Sequence, residues 1–378
     1  MTAHVTATGF ARFGKRPEGL PELLVEAGEA ALAGVGRRTI DLLVIGNMSG
    51  TVLGGVENLT ARVADRLGLD GASGYRVEAA SASGAAAFQA AVASIESGRS
   101  ERALVLAGEK MTGLPTADVA RVLALSLAPS EVAAGATMPA LASLVAQRYQ
   151  ERYGVPTAAF DAVTVAARRN GARNPNAQFT SPVSVEEVAG SRPVALPLRL
   201  LHCAAISDGA VAVVLERGDG PARVLGLGQG FDAMMVVDRP DLTSFRASRV
   251  AARRAYESAR LTRKEIGVVE LHDAFAPFAL IDLEDLGICG PGEAPGWFER
   301  TQGGRSGPVT LNPSGGILAR GHPVGASGLA AIAEVARQLR GEAGATQADP
   351  VPKVGLAHSI GGLASHNFVE ILGRGDRP

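Results

Sequence analysis

One short segment of this chain occurs twice, and it does most to limit the fold. Ala82-Ser83-Gly84-Ala85-Ala86-Ala87 has a counterpart in Ala326-Ser327-Gly328-Leu329-Ala330-Ala331, 244 residues further on. Each copy opens an Ala-rich stretch with the composition of a helix. An apolar run lies upstream of each, Asp41-Leu42-Leu43-Val44-Ile45 before the first and Gly267-Val268-Val269-Glu270-Leu271 before the second. Two matches in the same order favour a duplicated α/β unit. The 378 residues are enough for two domains or one large duplicated one.

Val5-Thr6-Ala7-Thr8-Gly9 reads as a strand ending in a turn, and Asp41 to Gly46 and Ala103 to Gly108 read as buried strands. Leu23 to Leu32 and Ala85 to Ile95 read as helices, the second stopping at Gly98, a residue suited to a helix C-terminus. This alternation predicts an α/β protein with a mostly parallel sheet. From about Thr112 to Leu200 the texture changes. Helical segments such as Met138 to Tyr149 are joined by turns, among them Asn174-Pro175-Asn176 and Leu196-Pro197, before the strand Ala210 to Leu215 restores the rhythm. The expected organisation is an N-terminal half over 1–220, carrying an inserted loop domain at about 112–200, and a C-terminal half over 221–378.

Composition narrows the function. Lys and Arg number 37 against 38 Asp and Glu, so nothing recommends nucleic acid or an anionic membrane surface as a partner. Cys203 and Cys289 are the two cysteines, too few for a disulfide framework or a cysteine-rich zinc domain, and no His/Cys/Asp spacing suggests a metal site. Gly226-Leu227-Gly228-Gln229-Gly230-Phe231 does not complete a dinucleotide fingerprint and no Walker loop is present, so no nucleotide cofactor is implied. With no basic, apolar leader at Met1-Thr2-Ala3-His4 and no run of 18 apolar residues, a cytoplasmic protein without a membrane span is expected.

Four segments look unlike plain core. Glu78 to Gly84 joins a strand to a helix. Ser81 there can present its hydroxyl from the first helical turn, and its amide can help to hold an oxyanion; the same spacing also suits a helix-capping serine. Glu270-Leu271-His272-Asp273-Ala274-Phe275 follows an apolar strand, where polar side chains face a ligand crevice. Asn312-Pro313-Ser314-Gly315-Gly316, with Gly321-His322-Pro323-Val324-Gly325, fixes His322 on a rigid loop before a helix, and imidazole is the usual general base near neutral pH. His358-Ser359-Ile360-Gly361-Gly362 follows the strand 353–357. Gly361 and Gly362 permit close backbone approach of their amides to a substrate, and His358 could be a second acid/base or a buried, hydrogen-bonded histidine.

Together these segments resemble the thiolase superfamily, and most of all its sterol-carrier-type, acetyl-CoA acetyltransferase-like members. Those carry a Cys in a CxSG segment, then HDAF or a similar run, then NPSGG…GHPxGAxG, then a Gly-rich terminal segment. The resemblance spans nearly the whole chain. It implies two βαβα-type halves in a five-layer α/β/α/β/α core, and dimers or dimers of dimers acting on acyl-CoA or carrier-bound thioesters. Beyond coenzyme A as part of the substrate, it implies no cofactor. By the resemblance the nucleophilic Cys falls at Ser81, the base at His322, a second acid/base Cys at His358, and at His272 an Asn that orients water in an oxyanion hole.

Serine at position 81 leaves three explanations open: a natural serine nucleophile, a Cys→Ser substitution, or loss of covalent catalysis. The leading expectation is acyl transfer or Claisen-type chemistry through Ser81 with His322 as base, the Ser81 and Gly361 amides holding the oxyanion. The alternative is a non-catalytic acyl- or lipid-binding or scaffold subunit. Some relatives pair with a small zinc-ribbon/OB-fold protein, and some of these run a retro-aldol cleavage on tyrosines of the C-terminal half. This chain has no tyrosine after Tyr256.

Overall fold

The computed structural model describes residues 2–35, 40–304 and 307–375. The run Leu42–Gly46 is buried along its whole length, as a strand covered on both faces requires. It forms β2, paired in parallel with β3 (Ser73–Val77) and β4 (Arg102–Glu109), while β1 (Ala3–Gly14) lies further along the same sheet. After β4 the chain leaves the sheet through α4 (Thr116–Ala124), α5 (Pro129–Ala133), α6 (Met138–Tyr153), α7 (Ala158–Gly171), α8 (Val185–Ala189) and the small hairpin β5 (Pro193–Ala195) and β6 (Leu198–Arg199). It returns at β7 (Asp208–Arg217). Asp208, at the return point, accepts hydrogen bonds from the Met111 and Thr112 amides (2.7 Å each) and pairs with Lys110 (2.7 Å), so one carboxylate closes the neck of the excursion.

The second half repeats the plan with β8 (Ala222–Phe231), β9 (Val268–Glu270), β10 (Thr310–Leu311), β11 (Val354–Gly361) and β12 (His366–Arg374). The sheet order is β10-β9-β11-β12-β8-β1-β7-β4-β2-β3. Within each half the central strand pairs parallel on one side and antiparallel on the other: β4 with β2 and β7, β11 with β9 and β12. The halves join where β1 meets β8, through His4–Arg223 and Val5–Ala222.

Helices complete five layers. α1 (Leu20–Leu32) and α2 (Leu59–Leu67) cover the outer face of the first half-sheet, while α9 (Arg246–Ala259) and α10 (Ala276–Asp285) cover that of the second. α3 (Ser83–Glu96) and α13 (Val324–Arg340), the helices of the repeated segment, pack against each other between the two half-sheets. Two short helices, α11 (Ala294–Arg300) and α12 (Gly316–Arg320), lie in the connection ahead of α13. The central core draws on both halves, with Val44, Val105 and Val92 beside Ile332, Val335 and Phe368.

The repeat therefore marks the centre of the molecule. The strand expected ahead of Glu78 is β3, an exposed edge strand without apolar alternation. Among the described residues no helix is long and apolar enough to cross a membrane.

Candidate active site

The site forms where α3 and α13 begin. A Cβ on Gly84 would lie 2.8 Å from both Gly325 O and Leu329 N, and one on Gly328 would lie 3.1 Å from Ala85 N. Only glycine allows these backbones to touch. Ser81 and His322, three and six residues ahead of those glycines, are thereby carried to the same end of the helix pair.

The turn before α3 is built for display. Ala80 has φ +49°, a left-handed conformation costly for a residue with a Cβ. Ser83 Oγ accepts from the Ala79 amide (2.9 Å) and donates to Ala80 O (2.6 Å), and Glu78 accepts from the Ala80 amide (2.6 Å). The cap residue of α3 is Ala82, with no side-chain cap bond, so Ser81 is not a capping serine. Its hydroxyl has no hydrogen-bond partner among the described residues. Gly361 closes on this turn: a Cβ there would sit 2.7 Å from Ala79 O.

The loop bearing His322 is clamped to the end of β9. Asn312, at φ +41°, accepts the Leu271 amide on Oδ1 (2.6 Å); Glu270 accepts from the Ser314 amide and hydroxyl (3.0 and 2.7 Å); Asp273 accepts the Ile317 amide (2.6 Å). The His322 amide reaches Ala205 O (3.1 Å). Its Nδ1 is 2.8 Å from Ser327 Oγ, whose proton goes to Pro323 O (3.1 Å). That network assigns the ring proton to Nδ1 and leaves Nε2 a free lone pair. Desolvation, then the nearby Arg320 charge, pushes the His322 pKa down to about 3. The buried His272 ring lies edge-to-face with that of His322, centroids 5.2 Å apart. Desolvation, followed by repulsion from His322, His358 and Arg320, holds its pKa well below the ordinary value, and its Nδ1 has no partner.

His358 is not part of this group. Side chains alternate across a strand. In β11, Gly355 and Ala357 pair with Val268 and Glu270 and face α13, whereas His358 faces the other way. Its Nε2 is 3.2 Å from Ser248 Oγ of α9 and 3.7 Å from Asp282 of α10. The expectation of an acid/base at His358 beside Ser81 is corrected on that geometry. The inward residue is Ser359, fully buried, its Oγ unpartnered and directed at Gly328. Strand alternation is the signal that finds it, once β11 is known to run on to Gly361. A cavity of about 460 Å³ is lined by Ala79, Ala80 and Gly361, with Val122, Leu125 and Ser126 of the excursion on its wall.

A duplicated α/β core with a serine turn and a histidine loop at paired helix starts defines a thiolase-fold protein. Residues 2–196 match the family described as thiolase, N-terminal domain, and residues 228–374 the family described as thiolase C-terminal domain-like. The chain belongs to the thiolase family. It is 38% identical over 364 residues to an acetyl-CoA acetyltransferase of Methanothermobacter thermautotrophicus, covering 93% of this chain and 94% of that protein. It is 32% identical to sterol carrier protein 2 of Bos taurus, covering 94% of this chain and 69% of that protein. Among solved structures, an Ltp2-ChsH2(DUF35) aldolase superposes with a TM-score of 0.85 at 25% identity, covering 100% of this chain and 98% of that one. The acetyl-CoA acetyltransferase of Bacillus anthracis, at 16% identity, shares the fold with a TM-score of 0.77 over 99% of this chain and 98% of that one.

Proposed function

We propose that this chain is a thiolase-type acyltransferase that works through Ser81. The observation that carries the reading is the convergence of the Ser81 turn, the free Nε2 of His322 and the Gly361 strand end at the start of the α3–α13 pair. Ser81 Oγ attacks the thioester carbonyl while His322 Nε2 takes its proton. The Ser81 and Gly361 amides receive the oxyanion. The C–S bond breaks, the coenzyme A or carrier thiol departs with the proton, and Ser81 is left as an oxygen ester. A second substrate then attacks that carbonyl, forming a C–C bond or a new ester or thioester and returning the proton to Ser81. His272, edge-on to His322, orders the same polar pocket, and the acyl chain occupies the cavity walled by Val122 and Leu125.

A homodimer joined at the exposed edge strand β3 belongs to this reading, as does a small DUF35-type partner of the kind named in the structural relative. Tyrosine-based retro-aldol chemistry is disfavoured: Tyr149 is tied to Glu284 (2.5 Å) and Tyr256 to Leu286 O (3.1 Å). Turnover across a panel of acyl-CoA thioesters tests the reading. Thioester consumption lost in both Ser81→Ala and His322→Ala is expected. Undiminished turnover in Ser81→Ala removes the covalent route, and no binding or turnover with any thioester favours the scaffold reading.

A further inference from the structure

Glu109 is fully buried at the end of β4, and the chemistry above does not use it. All four of its polar contacts are donors. Oε1 accepts from Asn47 Nδ2 (2.9 Å) and the Ser49 amide (3.0 Å); Oε2 accepts from the Met48 amide (3.0 Å) and the Gly325 amide (3.1 Å). Three of these donors belong to the turn after β2. The fourth lies in the first turn of α13, in the other half of the molecule, three residues past His322. The end of β2 also abuts α3: a Cβ on Gly46 would lie 2.6 Å from Ser83 O. A continuous path therefore runs from the Ser81 turn through the start of α3, the end of β2, Glu109 and Gly325 to His322.

We propose that Glu109 is a positioning residue whose carboxylate sets the separation of Ser81 and His322 by tying the first turn of α13 to the end of β2. A negative charge at a helix N-terminus is stabilised there. Burial pushes the Glu109 pKa up and the four donors pull it down, and the balance is about 7. In Glu109→Gln an NH₂ group meets backbone N–H groups in place of one oxygen, so the tie fails without loss of volume.

The proposal rests on the Ser81–His322 reading, and the test separates the two. In a Ser81→Cys background the rate of alkylation of Cys by iodoacetamide is measured over roughly pH 5 to 9, since the thiolate fraction governs the rate and a neighbouring base governs the profile. Adding His322→Ala asks whether residue 81 feels His322 at all, and an unchanged profile there sinks the underlying reading. Adding Glu109→Gln is expected to slow alkylation at neutral pH by about tenfold and to shift the profile, with thermal unfolding still cooperative. The triple variant is expected to be no slower than Ser81→Cys/His322→Ala. A folded Glu109→Gln protein with the parent profile, or additive losses in the triple variant, overturns the proposal. If Glu109→Gln does not fold, Asn47→Ala, which removes one donor of the four, is read by the same criteria.

Discussion

The two halves end their central strands differently. β4 finishes at Glu109, whose carboxylate fills the corner at the start of the other half's helix, α13. β11 finishes at Gly361, which approaches the start of α3 and places no side chain there. Duplication thus sets the end of each half's central strand beside the start of the other half's central helix. One such corner is occupied by the protein's own carboxylate and serves to join the halves. In the reading proposed above, the other corner, beside Ser81, is where a reacting carbonyl places its developing negative charge.

Filling the open corner should have the largest effect. Gly361→Glu carries the first half's solution into the second, its Cβ pressing on Ala79 O, and with the parental Tm retained it is expected to lower acylation about 100- to 1000-fold, the loss on removing an oxyanion donor. Intact-mass kinetics with an acyl-CoA would measure it, and near-parental acylation would break the equivalence of the corners.

The two faces of β11 and its loop neighbours give the next contrast. His322→Ala should reduce kcat by about 100- to 10,000-fold, as loss of a general base does. His358→Gln, on the outer face with Ser248 and Asp282, should change kcat little. It should instead lower stability by roughly 1–3 kcal/mol through unsatisfied buried groups, seen as a lower Tm. A larger kcat loss for His358→Gln than for His322→Ala would reverse the assignment.

The pH profile sharpens the same contrast. His322 must be neutral to accept a proton, and its pKa is pushed down from 6.5 to about 3. The active form of His322 is therefore populated throughout the neutral range, so His322 itself should contribute no acid limb to kcat/KM near 6.5, and a limb near 7 that Glu109→Gln removes belongs to Glu109. The simple expectation that activity climbs through an ordinary histidine titration moves to acid pH because the ring is desolvated and lies near Arg320. A limb near 6.5 that disappears in His322→Ala would contradict this. Stability has a related sign. A histidine whose folded pKa is lowered contributes stability above its unfolded pKa and loses it as pH falls from 6.5 toward the folded value.

The smallest effect separates two buried acids. Glu109 has four donors, whereas Glu370 accepts from Gln89 Nε2 (2.8 Å) on one oxygen and leaves the other without a partner, so burial pushes its pKa up to about 8. A raised carboxyl pKa gives stability that is present below the unfolded value and lost as pH rises through the folded one. Glu370→Gln should therefore raise the Tm above about pH 8 and change it little near pH 5. A Tm gain confined to acid pH would refute the account of Glu370.

The duplication and most of the site are legible in the sequence because contact geometry forces both. Gly84 and Gly328 must be small for the helices to touch, and Asn312, Gly315 and Gly316 take left-handed backbone, so both stretches stand out as motifs. Other parts leave no such trace. The face taken by His358 depends on a one-residue register in a strand that runs on into apparent loop residues. Glu109 ends an apolar strand with no motif around it, and its partners lie 62 and 216 residues away, at Asn47 and Gly325.

The most direct test of the open-corner account is peptide mapping by mass spectrometry after a brief exposure to an acyl-CoA. The account predicts an acyl group on the peptide carrying Ser81, formed slowly in His322→Ala and absent in Ser81→Ala and Gly361→Glu. Thioester turnover that proceeds with Ser81 unmodified, and persists in Ser81→Ala, would contradict it.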